Sequence, residues 1–396
     1  MHTQSKARVL IVGGGYAGTL AAARIARGGG ARVTLIDQRG SFVQRIRLHE
    51  ALAGGRPADL AYGPALARRG VAFREARVEA IDQARQEVVL AGAGGERRLG
   101  YDLLLVALGS ATAAAAPGVA EHAVRLNDPA AVASAAAQLR GAAASGGRAL
   151  VVGGGLTAIE AAAELAERLP GLRVSIVAAG AVGAGYSPAG ARHLRATLGR
   201  LGVELIEGER VTALEAGRAS LAGGAALRYD CCVWAGGLAA PALLGEAGLP
   251  VDGQGRALVT PTLRAHDNPT IYVAGDSAAA GDGGRAIRMG CVSAAPMGAH
   301  AGENIAAALA GRAQRPFGFG FFMRCVSLGR QDALVQFTDS DDRPAERVLT
   351  GQAAALVKEL ICRMTLEGVR GELRTGVPLV VWPGGGSWWA TAAAAA

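Results

Sequence analysis

The chain has 396 residues, 51% hydrophobic and 4% aromatic, with five cysteines and a formal net charge of +8. That length exceeds what one hydrophobic core serves, so two or three domains are expected. The positive charge is arginine scattered among alanine and glycine, Lys6 and Lys358 being the only lysines. No basic run or aromatic platform goes with it, which argues against a nucleic-acid partner. Cys231, Cys232, Cys291, Cys325 and Cys362 show no C-x-x-C or zinc spacing, so reduced thiols in a cytoplasmic protein, without a metal site, are the expectation. The most apolar windows are interrupted short of the roughly 20 residues that span a bilayer, and the N-terminus runs into a strand without a secretory pattern.

In chain order, "RVLIV" is the first strand, apolar and β-branched enough for a fully buried parallel position. Gly13, Gly15 and Gly18 follow as G-x-G-x-x-G, then "TLAAARIA" continues as a helix. The first glycine makes the turn, the second lets a pyrophosphate approach the backbone and the third lets the helix pack on the strand. The phosphate then meets the free N–H groups of the helix start. "ARVTLIDQRG" is the next strand and ends in Asp37, 37 − 18 = 19 positions after the last glycine, where a carboxylate reaches ribose hydroxyls. This is a dinucleotide-binding unit.

The stretch "SFVQRIRLHEALAGG" crowds Gln44, Arg45, Arg47, His49 and Glu50 into a segment expected over the cofactor. Arg47 suits an anion and His49 a proton transfer, with Glu50 beside them; the alternative is a surface helix with ordinary charges. "YDLLLVALGS" is a further strand, with Gly109 at its end.

"LVVGGGLTAIEAAAEL" repeats the first turn 153 − 13 = 140 residues later, with Gly153, Gly155 and Ala158 at the three positions. Its following strand, "LRVSIVAAG", carries Ala178 where the first copy has Asp37, and Arg192 and Arg195 come only beyond a glycine-rich loop. A visiting nicotinamide nucleotide, NADH or NADPH, fits this second turn; a decayed repeat that packs without ligand is the alternative. "YDCCVWAGGL" closes that half, and "TIYVAGD" is a late strand delivering Gly275 and Asp276. In "IRMGCVSAAPMGAHAGENIAAAL", Pro296 suits the first turn of a helix, which would place free backbone groups near Met297 and Gly298. Residues 316–396 read as paired strands, a helix and a tail with Trp382, Trp388 and Trp389, expected to dock on the protein in preference to touching a membrane.

These motifs together resemble the two-dinucleotide-fold flavoproteins of the pyridine nucleotide-disulfide oxidoreductase superfamily, over residues 7–310. The resemblance implies an α/β fold of two Rossmann-like domains plus a smaller α+β C-terminal domain. The parts are 1–118 and 251–312 for FAD, 119–250 for NAD(P) and 313–396 for an interface with a homodimer partner or a membrane. It implies that Gly13, Gly15, Gly18, Asp37, Gly109, Gly275 and Asp276 hold FAD, with Met297 and Gly298 at the reduced ring. Gly153, Gly155 and Ala158 would hold the nicotinamide nucleotide. "GGGLTAIE" is similar to the second turn of type II NADH dehydrogenases, and in such relatives the glutamate matching Glu160 reaches the nicotinamide.

No cysteine pair stands where disulfide reductases of the superfamily carry one. Glu160, His49, Arg47 and Glu50 are therefore the catalytic candidates of an FAD-dependent NAD(P)H oxidoreductase that reduces a quinone-like acceptor directly. "CVSAAPMGAH" departs from the alanine-glutamine motif that borders the quinone in type II enzymes. A tailoring flavoenzyme acting on one metabolite and a non-enzymatic nucleotide sensor are the other readings.

Overall fold

A computed structural model describes residues 6–55, 59–92, 97–113, 116–282 and 285–389. Two parallel sheets organise the chain. The first has six strands in the order Arg264–Ala265, Asn268–Val273, Leu103–Val106, Ala7–Val12, Ala31–Asp37 and Ala72–Glu75. All are parallel except the edge strand Arg264–Ala265. The second has five parallel strands in the order Glu204–Glu207, Arg173–Ala178, Arg148–Val152, Cys231–Trp234 and Ala123–Arg125.

Strand composition explains these positions. Val9 to Val12 and Ala149 to Val152 are buried consecutively, without the alternation of a one-sided sheet, because helices cover both faces. The late strand Asn268–Val273 joins the first sheet beside Leu103–Val106, so the second unit is inserted within the first. In both sheets the central strand, Ala7–Val12 or Arg148–Val152, has its sequence successor on one side and a later strand on the other. The chain reverses direction across the sheet there, and that opens a crevice at the strands' carboxyl ends.

Helix Tyr16–Arg27 is buried along most of its length because alanine and glycine let another helix, Cys291–Leu309, come close. A Cβ at Gly298 would lie 2.1 Å from Ala17 O, and one at Gly302 would lie 2.8 Å from Ala21 O. This helix begins about one and a half turns earlier than the sequence suggested: Pro296 is inside it, and Ser293 and Ala294 already donate to Gly290 O. Cys291 and Val292 therefore own the free N–H groups, while Met297 is buried and Gly298 serves the helix contact.

The C-terminal part is an antiparallel sheet of Met323–Ser327, Ala333–Thr338 and Pro344–Thr350 covered by the long helix Gly351–Thr375. Arg24 of the first helix reaches this helix, giving Nε to Glu372 Oε2 (2.6 Å) and Nη2 to Glu372 Oε1 (2.7 Å), and it also meets Glu303. The tail docks on the protein through its indoles: Trp382, Trp388 and Trp389 donate to the carbonyls of Gly318, Phe319 and Phe317 at 2.9, 2.8 and 2.8 Å. Among the described residues no helix is long and apolar enough to cross a membrane.

Candidate active site

Both glycine turns sit at the crevices. Gly13 has φ +103°, its N–H donates to Ile36 O (2.8 Å), and a Cβ there would lie 2.3 Å from Ala107 O. A side chain is excluded on both counts. Gly18 presses on the turn itself, since its Cβ would fall 1.9 Å from Gly13 O. Gly15, by contrast, faces open space, and the helix it starts has no side-chain cap, so the first N–H groups of that helix are left for an anion. Asp37 braces the turn: Oδ2 accepts from Gly14 N (2.7 Å) and Oδ1 from Arg39 N (2.9 Å). Tyr62, which the motif did not flag, hydrogen-bonds Gly14 O from the other side.

Asp276 gathers three segments. Its Oδ2 accepts from Ser110 Oγ and its Oδ1 from Gly290 N, both at 2.7 Å. Gly109 and Gly275 adopt φ +72° beside it, and Ser277 Oγ donates to Gly109 O (3.0 Å). Arg45 is pulled into the same corner, donating Nη1 to Ser110 O (2.7 Å); burial lowers its pKa against the pull of Asp276. The hydroxyl of buried Tyr16 has no hydrogen-bond partner among the described residues. An open cradle before an uncapped helix start is a fit for the phosphates of a dinucleotide.

The second turn repeats the geometry. Gly153 has φ +128°, donates to Val177 O (2.8 Å), and would place a Cβ 2.5 Å from Ala235 O. Gly155 again faces open space before an uncapped helix, Leu156–Arg168. Ala158 is fully buried, so this helix stands far enough from its turn to admit the methyl that Gly18 could not carry.

The predicted catalytic side chains divide into two groups. Glu160 is 4% exposed; its Oε1 accepts from Lys358 Nζ (2.8 Å) and Ser327 N (3.1 Å), and its Oε2 lies 3.7 Å from His49 Nδ1. Burial alone would raise the pKa of Glu160, but the charge of Lys358 holds it below the usual carboxylate range. The carboxylate in turn keeps Lys358 protonated, its pKa above the ordinary lysine value despite burial. Burial pushes His49 down, so it stays neutral, and its Nε2 is buried without a partner among the described residues.

Arg47 and Glu50 face each other instead, Nη1 to Oε1 at 2.8 Å. Arg47 Nη2 also reaches Glu359 Oε1 (2.8 Å), and Arg330 Nη1 lies 3.3 Å from Glu50. They lace the helix Leu48–Leu52 to the C-terminal helix.

Lys358 is the residue that motif reading missed. Its signal lay in composition, because a chain that uses arginine almost everywhere keeps a lysine there. Its Nζ also donates to Cys325 O at 3.4 Å.

Residues 7–304, most of the chain, match the family described as pyridine nucleotide-disulphide oxidoreductase. The chain belongs to that family. This oxidoreductase is 31% identical over 325 residues to an NADH dehydrogenase-like protein of Mycobacterium tuberculosis, covering 75% of this chain and 80% of that one. It is 28% identical over 378 residues to the demethylphylloquinone reductase of Synechocystis, covering 91% and 92%. Among solved structures, the sulfide:quinone oxidoreductase of Aquifex aeolicus superposes with a TM-score of 0.77 at 18% identity over 92% of each chain, a likeness of fold.

Proposed function

We propose that this oxidoreductase holds FAD in the first turn, receives NADH or NADPH in the second, and reduces a quinone-like aromatic acceptor without a redox disulfide. FAD, when bound, supplies the exchange between two-electron donor and acceptor. On this reading residues 1–118 and 251–312 enclose the flavin, residues 119–250 enclose the nucleotide and residues 313–396 form the interface domain. The observation that carries it is the pair of open glycine cradles at the two crevices, with a buried, charged Lys358–Glu160 pair beside them.

Each residue has a task. Gly13 and Gly18 would let the backbone close on the pyrophosphate, Asp37 would take the ribose, and Asp276, which gathers three segments, would hold the ribityl chain. The positive end of the helix at Cys291 and Val292 would stabilise negative charge on the reduced ring. A quinone needs protons as well as electrons. Lys358 Nζ holds one against burial, Glu160 Oε1 orients it, and neutral His49 can accept and pass on another. Arg47 and Glu50 position the helix that carries His49. The name of the Synechocystis relative and the absence of any C-x-x-C spacing support the quinone-like acceptor.

The test is chemical. Protein purified under native conditions should release FAD and not FMN on denaturation, and Glu160→Gln should slow quinone reduction about 10²-fold or more, as loss of a positioned proton group does. A protein that carries no flavin, or a variant that turns over at the parent rate, would overturn the proposal.

A further inference from the structure

The second turn lacks its acid, and the structure shows what occupies the place. Ala178 ends one strand and pairs in parallel register with Glu207, which ends the neighbouring strand at the same carboxyl edge. In the first turn a carboxylate accepts from the middle glycine, Asp37 from Gly14 N at 2.7 Å. In the second, Ala178 and the loop after it pack on the turn: a Cβ at Gly154 would lie 3.1 Å from Ala178 Cβ and 3.4 Å from Ala181 O, and Gly183 N donates to Gly154 O at 3.0 Å. The loop that does this is pinned from the next strand, because Val182 N donates to Glu207 Oε1 at 2.6 Å.

Glu207 is not alone. Arg195, on helix Pro188–Arg200, donates Nη2 to Glu207 Oε1 (2.5 Å) and Nη1 to Oε2 (3.0 Å), a two-pronged pair. The Arg195 side chain is 39% exposed and that of Glu207 is 29% exposed, so the pair is open to solvent at the carboxyl edge of the sheet. The hydrogen bonds from Arg195 hold Glu207 below the ordinary carboxylate range, and Glu207 raises Arg195 in return. Oε1 already accepts from both Val182 and Arg195, and a ribose hydroxyl can donate to the second lone pair of Oε2. A phosphate of nearly two negative charges would have to displace the carboxylate from both guanidinium prongs and then stand against it.

We infer that Glu207, brought one strand over from the vacant position 178 and oriented by Arg195, selects NADH over NADPH at the second turn. The inference rests on the reading that this turn binds a nicotinamide nucleotide. It makes Glu207 the specificity-determining residue and Arg195 the residue that positions it. Removing the charge of Glu207 also releases Arg195 for a phosphate, whereas removing Arg195 takes away that cation and leaves the Glu207 carboxylate, still held by Val182 N, to oppose one.

The experiment is anaerobic rapid-mixing reduction of the flavin of the holoprotein by NADH and by NADPH, over a range of each nucleotide, in the parent, Glu207→Gln and Arg195→Ala. The parent should be reduced with a rate-over-affinity ratio favouring NADH. That ratio should fall at least tenfold in Glu207→Gln and hold or rise in Arg195→Ala. A parent that prefers NADPH, or a ratio that moves less than twofold in Glu207→Gln, would overturn the inference. If Glu207→Gln does not fold, Arg195→Ala decides alone, since a shift of the ratio toward NADPH contradicts the assignment. Flavin that neither nucleotide reduces in the parent would instead bring down the underlying reading of the second turn.

Discussion

Glu160 and Lys358 bury opposite charges 2.8 Å apart, and each is ionised only because the other is there. Removing one partner strands the other, which costs about 3–5 kcal/mol, whereas replacing both by groups of similar shape costs far less. Lys358→Met should lower the unfolding free energy by about that much, and Glu160→Gln in the same chain should restore most of it, as read by denaturant titration. His49 gives a pH signature. Its folded pKa lies below the ordinary 6.5 because burial opposes its charge. Its contribution to stability is therefore complete above that pH and is lost as pH falls through the folded value. Glu160, also depressed, adds its own loss at lower pH. Stability should decline as pH drops below 6.5, and His49→Gln should flatten the first part of that decline. A midpoint equally sensitive to pH in the variant would contradict the assignment. At this scale the sequence was legible where geometry is local: Gly13 and Asp37 announce their places in the turn by spacing alone. Lys358 did not, because its partner stands 198 positions away, 358 − 160, and only the packed C-terminal helix brings them together.

The strand-turn-helix units could be read from apolar runs and glycine spacing, since those patterns are set by local geometry and by burial on both faces. The start of helix Cys291–Leu309 could not. Proline is favoured in a first turn, and what permits Pro296 further in is the long-range contact of Gly298 and Gly302 with the first helix. That contact predicts a consequence. Gly298→Val must drive a branched side chain into the Ala17 backbone, so the helices must separate and the corner at Asp276 and Gly275, the proposed flavin site, opens with them. The variant should lose both stability and flavin, seen as a lowered melting temperature and a colourless preparation. Gly13→Ala separates the two effects: with φ +103° and Ala107 O in the way, it should empty the cofactor site while far-ultraviolet circular dichroism stays near that of the parent.

Across the whole molecule, Arg24 ties the first dinucleotide fold to the C-terminal helix. Glu372 also accepts from the backbone of Leu379 and Val380 at 2.9 and 2.8 Å, which draws the tail into the same knot. Neither end of that knot carries a motif, and 348 residues of sequence separate Arg24 from Glu372. Arg24→Leu should destabilise the protein by about 3–5 kcal/mol through the stranded Glu372 and should expose the tail to limited proteolysis. The knot also bears on the proposed function, because the helix it anchors is the one that carries Lys358 to Glu160. The central claim is that electrons pass from nucleotide to flavin to acceptor with no thiol between. It is tested most directly by stopped-flow mixing of the flavin-loaded protein with NADH, followed by a naphthoquinone, with and without alkylation of its cysteines. The account predicts bleaching of the flavin band by NADH and its prompt return with the quinone, at rates that alkylation leaves within a few-fold. A band that NADH bleaches but the quinone does not restore, or whose recovery is abolished when thiols are blocked in still-folded protein, would contradict it.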